Sequence, residues 1–240
     1  MIYNTIYNNA AVHKKQIALL LDPDKLSCEK TFLRTLENAN KAAVDFILVG
    51  GSIVFQMIDE TIRTIKTHTQ IPVLLFPGSL LQISNLADGI LLLSLISGRN
   101  PDFLIGNQVI AAPFLKKSGL EIIPTAYMLI ESGNITSVEY ISNTKPIPRN
   151  KTDIAVATAL AGQMLGLKQV YLEAGSGATL PVPKGMIKEV KNNIDIPLIV
   201  GGGIKDANSI EIAFNAGADI VVIGTAIEQK PELLNDLKYW

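Results

Sequence analysis

Two carboxylates stand out for what precedes them. Asp22 follows the apolar run Ile17–Leu21, and Glu173 follows the run Val170–Leu172. A carboxylate at the end of a buried strand is costly unless it faces a polar mouth or has a partner. Asp22 therefore reads either as a cap on the next helix or as a Mg²⁺ ligand, because Mg²⁺ takes one or two carboxylates plus water and substrate phosphates. Ser52, just past another apolar run, offers a hydroxyl oxygen to the same ion. Asp24 is expected to cap the helix that follows. Tyr171 lies two residues before Glu173, so on a strand the two side chains share a face. A phenol beside a carboxylate can bind a polyol, and the carboxylate can accept a proton from it. The competing reading pairs Glu173 with a nearby Lys or Arg.

Glycines form the second signal. They cluster as Gly50-Gly51, Gly175-Ser176-Gly177, Gly201-Gly202-Gly203 and Gly224-Thr225, each just past an apolar run. Any one of them reads as a tight turn. Together they read as a phosphate site, because bare backbone N–H groups can approach an anion where no Cβ intervenes. Arg99 is open between a second phosphate or diphosphate and a surface ion pair. His13 and His68 lie away from these clusters and read as surface residues. No Ser-His-Asp or Cys-His arrangement, no paired metal-ligand spacing and no lysine suited to a Schiff base is present.

Elements must hold these residues in place. Eight short apolar runs recur: Ile17–Leu21, Phe46–Val49, Val73–Phe76, Ile90–Leu93, Ile122–Ile123 continuing to Leu129, Val170–Leu172, Leu198–Val200 and Ile220–Ile223. Continuous Val, Ile and Leu without polar alternation marks strands buried on both faces of a parallel sheet. Helical spacing lies between them: Phe55, Ile58, Ile62 and Ile65 make one stripe, and Ile210, Ala213 and Phe214 another. Residues 152–165 are Ala-rich, with Thr152 or Asp153 as N-cap. Eight strand–helix units predict a single α/β domain over residues 1–240, a closed (β/α)8 TIM barrel. The runner-up is an open doubly wound sheet, against which no GxGxxG follows the first strand. The connection after strand three is about a dozen residues and predicts an abbreviated crossover. Residues 131–151 are polar, contain Pro146 and Pro148, and read as a lid or a disordered loop. In such a barrel, reaction chemistry sits at the C-terminal strand ends, where Asp22, Ser52, Glu173 and the glycines all fall.

Composition narrows the functions. Of 240 residues 48% are hydrophobic, while 21 basic and 22 acidic side chains leave a net charge of −1. There is no basic excess for gripping nucleic acid, and the chain is too apolar for disorder. Mean hydropathy is high at +0.30, yet no run approaches the roughly 20 apolar residues of a membrane span. The start lacks an apolar core of signal-peptide length, and the one cysteine, Cys28, cannot form an internal disulfide. A cytoplasmic location is expected.

The strand tips resemble one family, the geranylgeranylglyceryl phosphate synthases and their bacterial heptaprenyl relatives. The matching stretches are LLLDPDK, DFILVGGS, PVLLFPGS, SLISGRNP, YLEAGSGA, PLIVGGGI and ADIVVIGTAI, running from strand one to strand eight. The resemblance implies a prenyltransferase that joins sn-glycerol 1-phosphate to a prenyl diphosphate with Mg²⁺ and releases diphosphate, without NAD, flavin or pyridoxal cofactor. It implies Asp22 and Ser52 as metal ligands and Glu173 as the group that orients the C3 hydroxyl and takes its proton. Tyr171, Leu172, Glu173, Ala174, Gly175, Ser176, Gly177, Gly202, Gly203, Gly224 and Thr225 would hold glycerol 1-phosphate. Some members carry a lysine two residues before the metal aspartate; here that position is Leu20. An apolar groove near Phe103, Tyr127 and Met128 is expected for the prenyl tail. A homo-oligomer with a contact near Phe103 and residues 99–102, and a transient membrane-surface contact for the product, are expected too. Two other readings stay open: a phosphosugar isomerase, which needs a second strand-tip acid or base, and a non-catalytic phosphate-binding barrel.

Overall fold

The computed structural model describes residues 1–26 and 28–237. Eight parallel strands pair in sequence order and close: β1 (Gln16–Leu21), β2 (Phe46–Val49), β3 (Val73–Leu75), β4 (Gly89–Leu95), β5 (Glu121–Leu129), β6 (Gln169–Glu173), β7 (Leu198–Gly201) and β8 (Ile220–Ile223). Pairing of β1 with β8, from Gln16 opposite Ile220 to Leu19 opposite Ile223, closes the barrel and excludes the open sheet. Alternation along each strand divides the apolar residues into two cores. Ala18, Phe46, Leu48, Leu74, Leu91, Ile123, Tyr171, Ile199 and Val222 fill the interior, while Ile17, Leu19, Ile47, Val49, Val170, Leu172 and Val200 meet the helices. Burial on both faces explains why the runs do not alternate with polar residues.

The surrounding helices are α1 (Ile2–Ala11), α2 (Glu29–Lys41), α3 (Ile58–His68), α4 (Asn107–Ser118), α5 (Ser137–Ser142), α6 (Thr152–Met164), α7 (Lys184–Asn193), α8 (Ala207–Asn215) and α9 (Thr225–Gln229). The stripes Ile58, Ile62, Ile65 and Ile210, Ala213, Phe214 are buried as the spacing requires. Phe55 is not part of the first stripe: it precedes α3 and is 88% exposed. Neither Thr152 nor Asp153 caps α6, which begins at Thr152 with Lys151 before it and no side-chain cap. Helix α1 had no sequence signal. It lies across the N-terminal end of the barrel, burying Ile6 in the inner core, while the Glu121 carboxylate accepts the Ile2 and Tyr3 N–H groups at its N-terminus, where an anion is favoured.

Two connections shape the opposite end. Between β3 and β4 there is only a 3-10 turn, Leu80–Gln82, so the abbreviated crossover is present. The β3–β4 ladder is correspondingly short, two residue pairs against seven for β4–β5. Residues 131–151 are folded. They contain α5, a parallel bridge between Ile130 and Ile147, and Arg149, whose guanidinium donates to the Glu131 and Pro181 carbonyls at 2.9 and 2.8 Å.

Candidate active site

Strand β6 runs one residue further than the apolar run, so Glu173 ends it facing inward above Tyr171. Glu173 is 5% exposed, and its Oε1 accepts the Gly175 N–H at 2.6 Å. Burial pushes its pKa up from 4.5 to about 7; the Gly175 N–H and the Tyr171 hydroxyl oppose that rise. No Lys or Arg pairs with it among the described residues, so the structural pairing is excluded. The Tyr171 hydroxyl is fully buried and meets no partner in good hydrogen-bond geometry. Burial, and then the Glu173 charge, hold the Tyr171 and Tyr127 phenols protonated.

Phe76, Tyr127 and Tyr171 form an aromatic floor. Phe76 stacks on Tyr171 at 5.3 Å between centroids, and Tyr127 meets both edge-on at 5.9 and 5.4 Å. Above this floor a cavity of about 1100 Å³ opens at the C-terminal strand ends. Its wall holds Asp22, Ser52, Tyr171, Glu173, Gly175, Ser176, Gly177, Gly202, Gly203, Gly224 and Thr225. Thus the structure brings together all but two of the expected site residues. Leu172 and Ala174 are the exceptions: their side chains pack in the outer core, and the Ala174 N–H already donates to the Gly201 carbonyl at 3.0 Å.

The glycines are required by contact, not only by turns. A Cβ on Gly202, at φ +80°, would stand 2.3 Å from Glu173 Oε1. A Cβ on Gly175, at φ +98°, would strike Thr136 of the 131–151 segment at 2.5 Å. Ser176 Oγ and Thr225 Oγ1 lie 3.3 Å apart across the cradle, next to Gly224 at the start of α9.

Asp22 sits on the facing rim. One oxygen caps the turn at Asp24 N–H (3.2 Å) and the other lies 3.4 Å from Lys25 Nζ. The cap on the turn is therefore present, and the same carboxylate also lines the cavity. Gly51 is bare beside it, since a Cβ there would stand 3.2 Å from the carboxyl. The Gln82 side chain fixes this rim, accepting from Gly51 and Gly78 N–H (both 3.2 Å) and donating to Gly51 O (2.8 Å). Asp24 does not cap α2: its carboxylate accepts the Phe55 and Gln56 N–H groups and ties the first rim segment to the second. A carboxylate with lone pairs to spare and a hydroxyl on one wall are hard oxygen donors of the kind Mg²⁺ accepts. Among the described residues no cluster of three His, Cys, Asp or Glu side chains forms a fuller metal cage.

A second, apolar cavity of about 110 Å³ joins the rim at Gly51, Ser52, Phe76 and Tyr127. It lies where no crossover helix follows β3, and is lined by Leu80, Ile83, Leu91, Leu93, Phe103 and Ala111 among others. Gln108 donates to the Leu93 carbonyl that β3 leaves free. Phe103 and Tyr127 are on this wall; Met128 is not, and packs outward under the helices. Phe103 is half-buried in this slot. Arg99 does not face either cavity; its guanidinium folds back on the Ile96 and Gly98 carbonyls. His13 and His68 are exposed, as expected. The sequence reading missed Lys25, Glu228, Thr136 and Phe76. None has a motif of its own, but Lys25 and Glu228 lie within the DPDK and GTAIE stretches that bound the mouth.

Residues 10–238 match the model of the PcrB family. The chain belongs to the PcrB family. Curated relatives named geranylgeranylglyceryl phosphate synthase include one from Spirosoma linguale, 53% identical over 93% of this chain and 90% of that protein, and one from Thermococcus gammatolerans, 49% identical over 88% and 83%. A solved relative is (S)-3-O-geranylgeranylglyceryl phosphate synthase from Thermoplasma acidophilum, in complex with its substrate sn-glycerol-1-phosphate. It is 35% identical, covers 99% of this chain and 96% of that one, and superposes with a TM-score of 0.92. The family's barrel is thus this chain's barrel. An N-acetylmannosamine-6-phosphate 2-epimerase from Clostridium perfringens, at 14% identity and TM-score 0.58, shares the fold alone.

Proposed function

We propose that this chain is a prenyltransferase of the geranylgeranylglyceryl phosphate synthase type. It joins the C3 hydroxyl of sn-glycerol 1-phosphate to a long prenyl diphosphate and releases diphosphate. The observation that carries this is that two unlike cavities adjoin along one wall, and the polar one holds a buried carboxylate. A polar, glycine-lined cradle fits a small phosphate ester, and an apolar slot fits a hydrocarbon tail. Glu173 belongs to the cradle, and the Phe76–Tyr127 wall is common to both cavities. An isomerase acting on a small phosphosugar has no use for the slot, and a non-catalytic phosphate binder has no use for a buried carboxylate poised near neutrality.

The chemistry follows from the residues. Backbone at Gly202–Gly203 and Gly224, with the Ser176 and Thr225 hydroxyls, holds the phosphate and so fixes the glycerol end. The Tyr171 hydroxyl, beside Glu173 on the cavity wall, suits a polyol hydroxyl. Glu173 accepts the proton of the C3 hydroxyl as its oxygen bonds to the allylic carbon, while the carbon–diphosphate bond breaks and the electron pair leaves with diphosphate. A carboxylate with a pKa of about 7 is well matched to this step near neutral pH. Asp22 and Ser52 would hold Mg²⁺, which when bound supplies positive charge against the leaving diphosphate. The aromatic floor excludes water from the reacting carbon.

No helix among the described residues is long and apolar enough to cross a membrane, and Cys28 is a free, exposed thiol. The reading is of a cytoplasmic enzyme whose amphiphilic product leaves by a transient membrane-surface contact; exposed Phe55, Met57 and Leu81 supply apolar surface for it. Self-association is part of the reading, supported by exposed Val109, Ile110 and Phe114 on α4. The test is direct: purified chain, Mg²⁺, radiolabelled sn-glycerol 1-phosphate and prenyl diphosphates of several lengths. A solvent-extractable labelled ether is expected. No such product at any length overturns the reading.

A further inference from the structure

Two anionic substrates meet in a mouth whose own wall is rich in carboxylates. Asp22, Glu173, Asp206, Glu228 and Glu232 all line the large cavity. Backbone N–H groups carry only partial charge, so a full positive charge close by would strengthen their hold on a phosphate dianion. Two lysines besides Lys25 line the cavity: Lys205 is turned toward the Thr179 carbonyl at 3.2 Å, and Lys230 is exposed just past the end of α9. Lys25 faces the cradle: its Nζ lies 3.4 Å from Ser176 Oγ, the hydroxyl that reaches Thr225 across the phosphate site.

How Lys25 is held distinguishes it from the other lysine ion pairs. Lys66–Asp88 and Lys191–Asp219 each close at 2.7 Å, the length of a committed charge-assisted bond. Lys25 is shared at longer range, 3.4 Å from Asp22 Oδ2 and 3.3 Å from Glu228 Oε2. Its side chain is 42% exposed, while Glu228 beneath it is 10% exposed. An ammonium suspended between two carboxylates and a hydroxyl, with three donors and no short bond, is free to turn toward a stronger acceptor. A buried carboxylate below it fixes where its stem can stand.

We propose that Lys25 is the side-chain cation that binds the phosphate of the small phosphate-ester substrate, and that Glu228 is the positioning residue that holds it over the cradle. This rests on the proposed function for the identity of the ester, and it deepens that reading. Binding at this point also carries the ammonium away from Asp22, leaving that carboxylate to the metal.

The test uses the full chain and reads binding separately from turnover. Calorimetric titration with sn-glycerol 1-phosphate, without prenyl diphosphate, is compared for wild type, Lys25→Met, Lys25→Arg and Glu228→Gln. Lys25→Met is expected to weaken binding about tenfold or more, as loss of a charged hydrogen-bond donor does. Lys25→Arg should recover most of that loss. Glu228→Gln should weaken binding several-fold and raise KM for the ester, with kcat at saturation little changed. Unchanged binding in Lys25→Met overturns the proposal, as does a KM rise confined to the prenyl diphosphate, which would give the ammonium to the leaving group. Should Lys25→Met fail to fold by circular dichroism, unchanged binding in Glu228→Gln overturns it instead. Failure of the proposed function reads differently: wild type would bind the ester, or inorganic phosphate as probe, yet form no ether with any prenyl diphosphate.

Discussion

The two sides of the barrel mouth are built on opposite principles. On the β6–β8 side the strands end evenly, the glycines follow at once, and backbone approaches backbone closely enough that a single added carbon at Gly202 would meet Glu173 at 2.3 Å. On the β3–β4 side the crossover helix is missing, and a slot opens between leucines. One side is rigid and polar, made by omitting side chains. The other is apolar, made by omitting a helix. A fold that is otherwise uniform thus gains two sites of unlike chemistry by two different deletions, with Phe76 and Tyr127 where they meet and Glu173 on the polar side.

The largest expected break in this comparison is at the buried carboxylate of the polar side. Glu173→Ala should lower kcat about 10²- to 10⁴-fold, the usual worth of a positioned proton acceptor, with a near-normal circular dichroism spectrum. A variant that keeps wild-type kcat removes Glu173 as the base. Asp22→Asn comes next: the Mg²⁺ concentration for half-maximal rate should rise at least about tenfold. An unmoved Mg²⁺ titration rejects Asp22 as a ligand.

The two sides should then respond independently. Gly202→Ala, strained at φ +80° and aimed at Glu173, should raise KM for glycerol 1-phosphate about tenfold while the preferred prenyl length stays the same. Ala111→Phe places a ring in the slot and should shorten that preferred length, read by mass spectrometry of the product. It should leave KM for glycerol 1-phosphate within about twofold and cost about 1–3 kcal/mol of stability from overpacking. If either variant changes both readouts, the two sides are not separate sites.

The polar side was legible in the sequence and the apolar side largely was not, for a physical reason. Gly202, Gly203, Gly224 and Glu173 act through backbone freedom and one strand-tip position, which a linear pattern records. The short link after β3 was also visible, since a dozen residues cannot hold a full helix. What that omission creates is a three-dimensional gap whose walls come from the segment after β3 and from β4, α4 and α5, and no local spacing records it. The expected groove residues show the limit: Phe103 and Tyr127 are on the wall, but Met128 is one residue out of phase and faces the helices. Lys25 and Glu228 were hidden similarly, because 203 positions separate two side chains that meet at 3.3 Å. Helix α1 escaped because only Ile6 and Ala10 of its ten residues are buried, too few for a periodic stripe.

The smallest predicted effect concerns what Glu173 costs the fold. Its folded pKa is about 7 and its ordinary value 4.5, so the folded state binds the proton more tightly than the unfolded one. The stabilisation that goes with the neutral carboxyl is fully present below pH 4.5 and falls as pH rises, until it is lost above about pH 7. The total is about 3 kcal/mol at most. Glu173→Gln cannot ionise, so its melting temperature relative to wild type should climb by several degrees between pH 5 and pH 8. Over the same range wild-type kcat/KM should rise and level off above about pH 7, while the variant stays inactive. A melting difference that does not change with pH would mean that the carboxylate is solvated in the free protein. The cradle would then be wetter and less able than the apolar slot to keep water from the reacting carbon, and the contrast between the two sides would weaken.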